Sequence, residues 1–169
     1  GRVGAHDTWK LENDDDFDAF YADLPPVPYV MEEYIQGDIV SYDGIFDSTC
    51  EPLFENMNVF PPVMDVVNEH LDLNYYTCPD VVEALRALGR RTVKAFDVGR
   101  RFVHLEFFRL TKEHKGLGDV GDYVALEVNM RPPGGYTPDM MDYAHSTDVY
   151  KIYADMVCFD ERRLPVSEE

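Results

Sequence analysis

The sequence predicts an α+β fold, a mainly antiparallel sheet with flanking helices, on three observations. Two late runs, Arg101–Leu110 and Asp122–Met130, have the alternation of half-buried strands, and a polar, glycine-bearing segment joins them as a long hairpin connection. Segments of helical spacing are interspersed among strand-like runs. The chain has 169 residues, 45% hydrophobic and 13% aromatic, enough to bury one sizeable core.

The elements follow in order. Gly1–Ala5 is a short glycine-bearing stretch. Phe17, Phe20, Tyr21 and Leu24 have the i, i+3, i+4, i+7 spacing of an amphipathic helix, capped by Asn13 or an adjacent aspartate. The aspartates of its first turn suit the helix dipole, and Pro25-Pro26 ends it. Tyr29–Ile35 and Ile39–Phe46 read as strands of a hairpin or of one bent strand, and residues 51–60 as a weaker strand. Helical spacing recurs from Val63 to Leu71 and again from Val81 to Ala95. After the two late strands, Pro132-Pro-Gly-Gly135 stops the chain direction. A last helix from Thr147 to about Phe159 is expected to turn Val149, Tyr150, Ile152, Tyr153, Met156 and Val157 inward, and Met140-Met141 reads as core.

Charge narrows the function classes. The net charge is −18, so nucleic acid and anionic membrane surfaces would repel the chain. Residues 1–85 carry 19 acidic and 2 basic side chains, whereas residues 86–169 carry 14 and 13, so the acidity belongs to the first half. No apolar run approaches the roughly 18 residues of a membrane span, and no leader opens the chain. Cys50, Cys78 and Cys158 are widely spaced and odd in number, which reads as reduced thiols and a cytoplasmic location. No histidine cluster has zinc spacing and no nucleophile elbow is present.

The chemistry concentrates on the late strands. In Leu126-Glu-Val-Asn-Met-Arg131, alternation sends Glu127, Asn129 and Arg131 to one face and Leu126, Val128 and Met130 to the core. In Phe102-Val-His-Leu-Glu-Phe-Phe108, His104, Glu106 and Phe108 share a face, which makes His104 a candidate support for Glu106. If the two strands pair antiparallel, Glu106 can come beside Glu127, and two such carboxylates repel unless a proton or cation lies between them. With Asn129 they form an all-oxygen set suited to Mg2+, or Mn2+ in its place, and Arg131 would face a phosphate held by that ion.

These residues resemble the ATP-grasp superfamily, whose members present one acidic residue on a strand and then a Glu-x-Asn-x-Arg strand at the metal site. Gly134-Gly135 through Tyr150 is similar to the stretch that closes that site, and the long connection between the two strands departs from the pattern. The resemblance implies an ATP-grasp fold with its N-terminal lobe incomplete, residues 1–28 a remnant of the smaller lobe and residues 29–169 the larger one. It implies ATP and Mg2+ as cofactors, Glu106, Glu127 and Asn129 as metal ligands, and Arg131 as the catalytic cation. Val30–Gly37 resembles the adenine hinge, which assigns Glu32, Glu33, Tyr34 and Ile35 to the nucleotide. Asp38 stands nearest to the family's ribose-binding glutamate, one residue early. Gly1 and Gly4 look like the end of the phosphate-covering loop. The expected function is ligation: a carboxylate is activated by ATP as an acyl-phosphate, then attacked by an amine or another nucleophile.

The partners so implied are a small-molecule carboxylate or bicarbonate, a preceding lobe and a separate substrate domain; a homo-oligomer is compatible with them. Because the chain opens at Gly1, past the family's ATP-contacting lysine, it is expected to be a fragment and inert by itself. Three alternatives stand beside this reading. One is a carbamoyl-phosphate synthase or biotin carboxylase type of subunit acting on bicarbonate. Another is a non-catalytic nucleotide-binding module. The last is an ordinary α+β domain in which these charges form a structural cluster.

Overall fold

The computed structural model describes residues 8–60 and 74–164. The helix expected over residues 63–71 and the glycines Gly1 and Gly4 lie outside the described residues. The chain divides into two compact units, Gly1–Ile35 and Gln36–Glu169.

The first unit contains helix α1 (Asp14–Ala22). Asn13 is its N-cap, accepting a hydrogen bond from the Asp16 amide at 2.9 Å. Asp14, Asp15 and Asp16 occupy the first turn, where the helix dipole favours negative charge. Phe20 gathers Trp9 and Tyr29, ring centroids 5.2 and 5.4 Å away. Phe17, Tyr21 and Leu24 remain exposed. Tyr29–Ile35 is not a strand: no ladder among the described residues includes it, and after Pro25, Pro26 and Pro28 the segment is irregular where a strand of a hairpin or of one bent strand was expected.

The second unit is α+β. Strands β1 (Gly37–Phe46), β2 (Pro52–Phe60), β3 (Tyr76–Cys78), β4 (Arg101–Leu110) and β5 (Tyr123–Asn129) form one antiparallel sheet in the order β3-β2-β1-β4-β5. The β1–β2 turn is tied by the Asp47 carboxylate, which accepts from the amides of Thr49 and Glu51 at 2.8 and 3.0 Å. The expected hairpin between β4 and β5 closes with the Leu110 amide donating to the Asp122 carbonyl at 2.8 Å. Gly116 and Gly121 take the positive φ values, +86° and +93°, that its turns require.

Strand alternation divides the sheet into two faces. Val40, Tyr42, Met57, Val103, Leu105 and Phe107 form one face and pack on helix α2 (Glu83–Phe96) through Leu85 and Val93. Gly89, also buried on α2, lets the helix settle onto the Tyr42 ring; a Cβ there would stand 2.4 Å from a ring carbon. On the other face, Ile45, Phe54 and Phe102 meet helices α3 (Thr137–His145) and α4 (Val149–Phe159) through Met141, Val149, Ile152 and Met156.

Three sequence expectations change here. Helix α3 and strand β3 were not anticipated: β3 has only three residues, and α3 starts directly after a Pro-Pro-Gly-Gly stop. On α4 the buried stripe is Val149, Ile152, Asp155 and Met156, whereas Tyr150, Tyr153 and Val157 are exposed, since a helix on a sheet turns only a narrow arc inward. Leu126, expected in the core, is 42% exposed. It sits in a β-bulge, because Glu127 pairs with Glu106 while Ala125 pairs with Phe107. Val128 and Met130 pack on the core as their alternation predicts.

Candidate functional site

The face of the sheet opposite α2 becomes polar beyond the Ile45–Phe54–Phe102 cluster. Ladder register places two ranks of side chains across four strands. One rank runs Asn58, Ser41, Glu106, Glu127, and the next runs Asn56, Asp43, His104, Asn129. Each strand contributes a polar-x-polar pair, and antiparallel register lines the pairs up.

Burial grades across this band. Ser41, Asp43, Asn56 and Asn58 are fully buried and His104 nearly so; Glu106 and Asn129 are half-buried, and Glu127 is exposed. The sealed end therefore lies at β2 and the open end at β5.

At the sealed end, a buried carboxylate needs hydrogen bonds to replace water. Asp43 Oδ2 accepts from Ser41 Oγ and Asn58 Nδ2, both at 2.7 Å, and from Asn56 Nδ2 at 3.4 Å. Asn58 is held in turn by Thr77, and Asn56 by His145 Nε2 at 2.8 Å. The remaining Asp43 oxygen, Oδ1, meets His104 Nδ1 at 2.6 Å, and His104 Nε2 meets Glu106 Oε1 at 2.9 Å. Carboxylates accept and the ring donates at both nitrogens, so His104 stands as an imidazolium between two anions. Burial alone would lower its pKa, but the bonds to Asp43 and Glu106, with the charge of both, raise it to about 9.

At the open end, Glu106 and Glu127 are direct partners across the β4–β5 ladder, the juxtaposition that the strand pattern predicted. Among the described residues no cation pairs with Glu127. Asn129 Nδ2 is buried without a hydrogen-bond partner. An amide turned over would exchange that unpartnered donor for its oxygen. Among the described residues, no three His, Cys, Asp or Glu side chains form a metal-holding group. The set here is two carboxylates and one amide, donor types of the kind that an ion such as Mg2+ takes when it keeps water and phosphate oxygens in its shell.

Other expected site residues are placed differently. Arg131 lies two residues beyond the end of β5, so strand alternation does not direct it; it is exposed, and its Nη1 donates to the Pro132 carbonyl at 2.9 Å. Asp38 is on β1 but on the α2 face, away from Glu106, and its carboxylate takes Arg109 Nη2 at 2.7 Å. That parity and that ion pair set Asp38 apart from the Glu106–Glu127 pair, on the opposite face of the sheet. Glu32, Glu33, Tyr34 and Ile35 belong to the first unit; the two glutamates and Tyr34 are exposed, and Lys10 Nζ lies 4.5 Å from the Tyr34 ring centre.

Asp43 is the residue that sequence reasoning missed. Its signal was present in the matching pairs Ser41-x-Asp43 and His104-x-Glu106, which only the β1–β4 register unites. A cleft of about 460 Å3 lies elsewhere, beside β2, lined by Arg86, His145 and Arg162 among others. His145 connects it to Asn56, but the paired carboxylates do not line it.

A scan of family models and a search of curated proteins found no match to the chain. No helix among the described residues is long and apolar enough to cross a membrane.

Proposed function

We propose that this chain is the nucleotide- and metal-binding part of an ATP-grasp ligase-like enzyme, which activates a carboxylate by phosphoryl transfer from ATP and passes the acyl-phosphate to an amine or another nucleophile. The observation that carries the reading is the direct pairing of Glu106 with Glu127 beside an Asn129 amide that has a buried, unsatisfied atom.

Glu106 and Glu127 would each give a carboxylate oxygen to Mg2+ or Mn2+, and Asn129 its amide oxygen. The chemistry that the ion supplies when bound is neutralisation of charge on the phosphate oxygens during transfer. Arg131 sits past β5 as an exposed cation able to meet the phosphoryl group, a donor set in place before charge develops. The rest of the band keeps the reacting end ordered: Asp43 is immobilised by three donors, His104 by Asp43, and one oxygen of Glu106 by His104. With a net charge of −18, the protein repels a bare polyphosphate, so nucleotide affinity should depend steeply on the divalent ion.

A second reading, a purely structural charge cluster, is favoured by the internal saturation of Asp43 and half of Glu106. It does not account for Glu127, placed opposite Glu106 on an open edge.

Calorimetric titration with a non-hydrolysable ATP analogue, with and without Mg2+, tests the proposal in the parent and in Glu127→Gln. Metal-dependent binding in the parent and its loss in a folded variant are expected. Equal Mg-nucleotide affinity in both proteins would refute the assignment of Glu127.

A further inference from the structure

We infer that His104, anchored by Asp43, sets which divalent cation the carboxylate pair accepts: by holding one oxygen of Glu106 it restricts that residue to single-oxygen ligation, favouring a small octahedral ion over Ca2+. The inference rests on the metal reading proposed above and adds a specificity-determining residue to it.

Glu106 Oε1 is within 2.9 Å of His104 Nε2, which leaves Oε2 as the oxygen available to a ligand. His104 cannot swing away to release Oε1, since its other nitrogen is 2.6 Å from a carboxylate that is itself fully buried and fixed by Ser41, Asn56 and Asn58. Its side chain is 8% exposed. Ca2+ is bound by six to eight oxygens at about 2.3–2.6 Å and gains from carboxylates that grip it with both oxygens. Mg2+ and Mn2+ take six ligands in octahedral order and accept single carboxylate oxygens with retained water. A glutamate with one oxygen pinned thus suits the second group and withholds a ligand from the first. Such outer partners of a metal ligand commonly change metal affinity by about 10- to 100-fold when removed.

The two amides that mimic the two ring nitrogens separate this role from simple core filling. In His104→Asn the side-chain amide reaches Asp43 in place of Nδ1 and releases Glu106. In His104→Gln it reaches Glu106 in place of Nε2 and keeps Oε1 engaged. The chain is loaded with Mn2+ and a non-hydrolysable ATP analogue, and displacement of Mn2+ by Mg2+ or Ca2+ is followed by electron paramagnetic resonance. The parent should favour Mg2+ over Ca2+, His104→Gln should keep that preference, and His104→Asn should shift it toward Ca2+ by about tenfold. An unchanged preference in folded His104→Asn, or equal shifts in both variants, overturns the inference while Mn2+ binding by the parent leaves the metal reading intact. A parent that prefers Ca2+ overturns it without any variant. A parent that binds no Mn2+ beside the nucleotide analogue refutes the metal reading itself.

Discussion

His104 links the fold to solution pH in a way that can be measured. Its pKa stands at about 9 in the folded chain against an ordinary value of 6.5. The difference corresponds to about 3 kcal/mol of folding free energy. Because the folded value is the higher one, this stabilisation is complete below pH 6.5 and is lost as pH rises through 9. The side chain is 8% exposed, so little of the effect is screened by solvent. Other groups titrate in the same range, and subtracting His104→Asn, which lacks the imidazole, isolates the contribution. Urea unfolding in the presence of a chelator should show the parent-minus-variant stability falling by about 3 kcal/mol between pH 6 and pH 10. A difference that stays flat across that window would show that no imidazolium lies between Asp43 and Glu106, and the account of the sealed end of the band would fail.

The other predictions concern the site and the core. Glu127→Gln should abolish metal-dependent nucleotide binding, read by calorimetry, while its far-ultraviolet circular dichroism matches the parent. His104→Asn, but not His104→Gln, should move the Mg2+/Ca2+ preference about tenfold by Mn2+ displacement. Gly89→Ala should destabilise the chain by about 2 kcal/mol in chemical unfolding, because the new methyl overpacks the buried Tyr42 ring and helix propensity returns only about 1 kcal/mol. Glu55→Gln should cost about 2 kcal/mol by the same assay. Burial pushes the Glu55 carboxyl up, yet hydrogen bonds from Arg90 and Tyr42 and the charges of Arg90 and Arg86 outweigh it and hold the pKa low. Its contribution should therefore be present at neutral pH and fade as pH falls through that lowered value.

What could be read from the chain alone was local and periodic. The Asn13 cap and first-turn aspartates of α1, the strand Arg101–Leu110, and the facing of Glu106 and Glu127 each depend on short-range spacing, and each is found as expected. A turn-bearing connection between two alternating runs constrains register strongly, since a slip of one residue would turn the buried set outward. Local pattern failed where a neighbouring element decides. Tyr29–Ile35 has strand-like residues but forms no strand. Leu126 alternates as a core residue, yet the bulge that keeps Glu127 opposite Glu106 turns it out. That Asp38 faces α2 and pairs with Arg109 is likewise decided by the β1–β4 register rather than by its neighbours in sequence. Asp43 was unreadable for the converse reason: a lone aspartate in a hydrophobic strand acquires meaning only when β1 lies between β2 and β4 and supplies it with His104, Ser41, Asn56 and Asn58. By itself the sequence determined the class of fold and which side chains share a face with each carboxylate on its own strand, because alternation is set by residues near one another along the chain. The tertiary structure decided which oxygen of Glu106 is free and what holds the other, because a buried charge takes its state from strands distant in sequence.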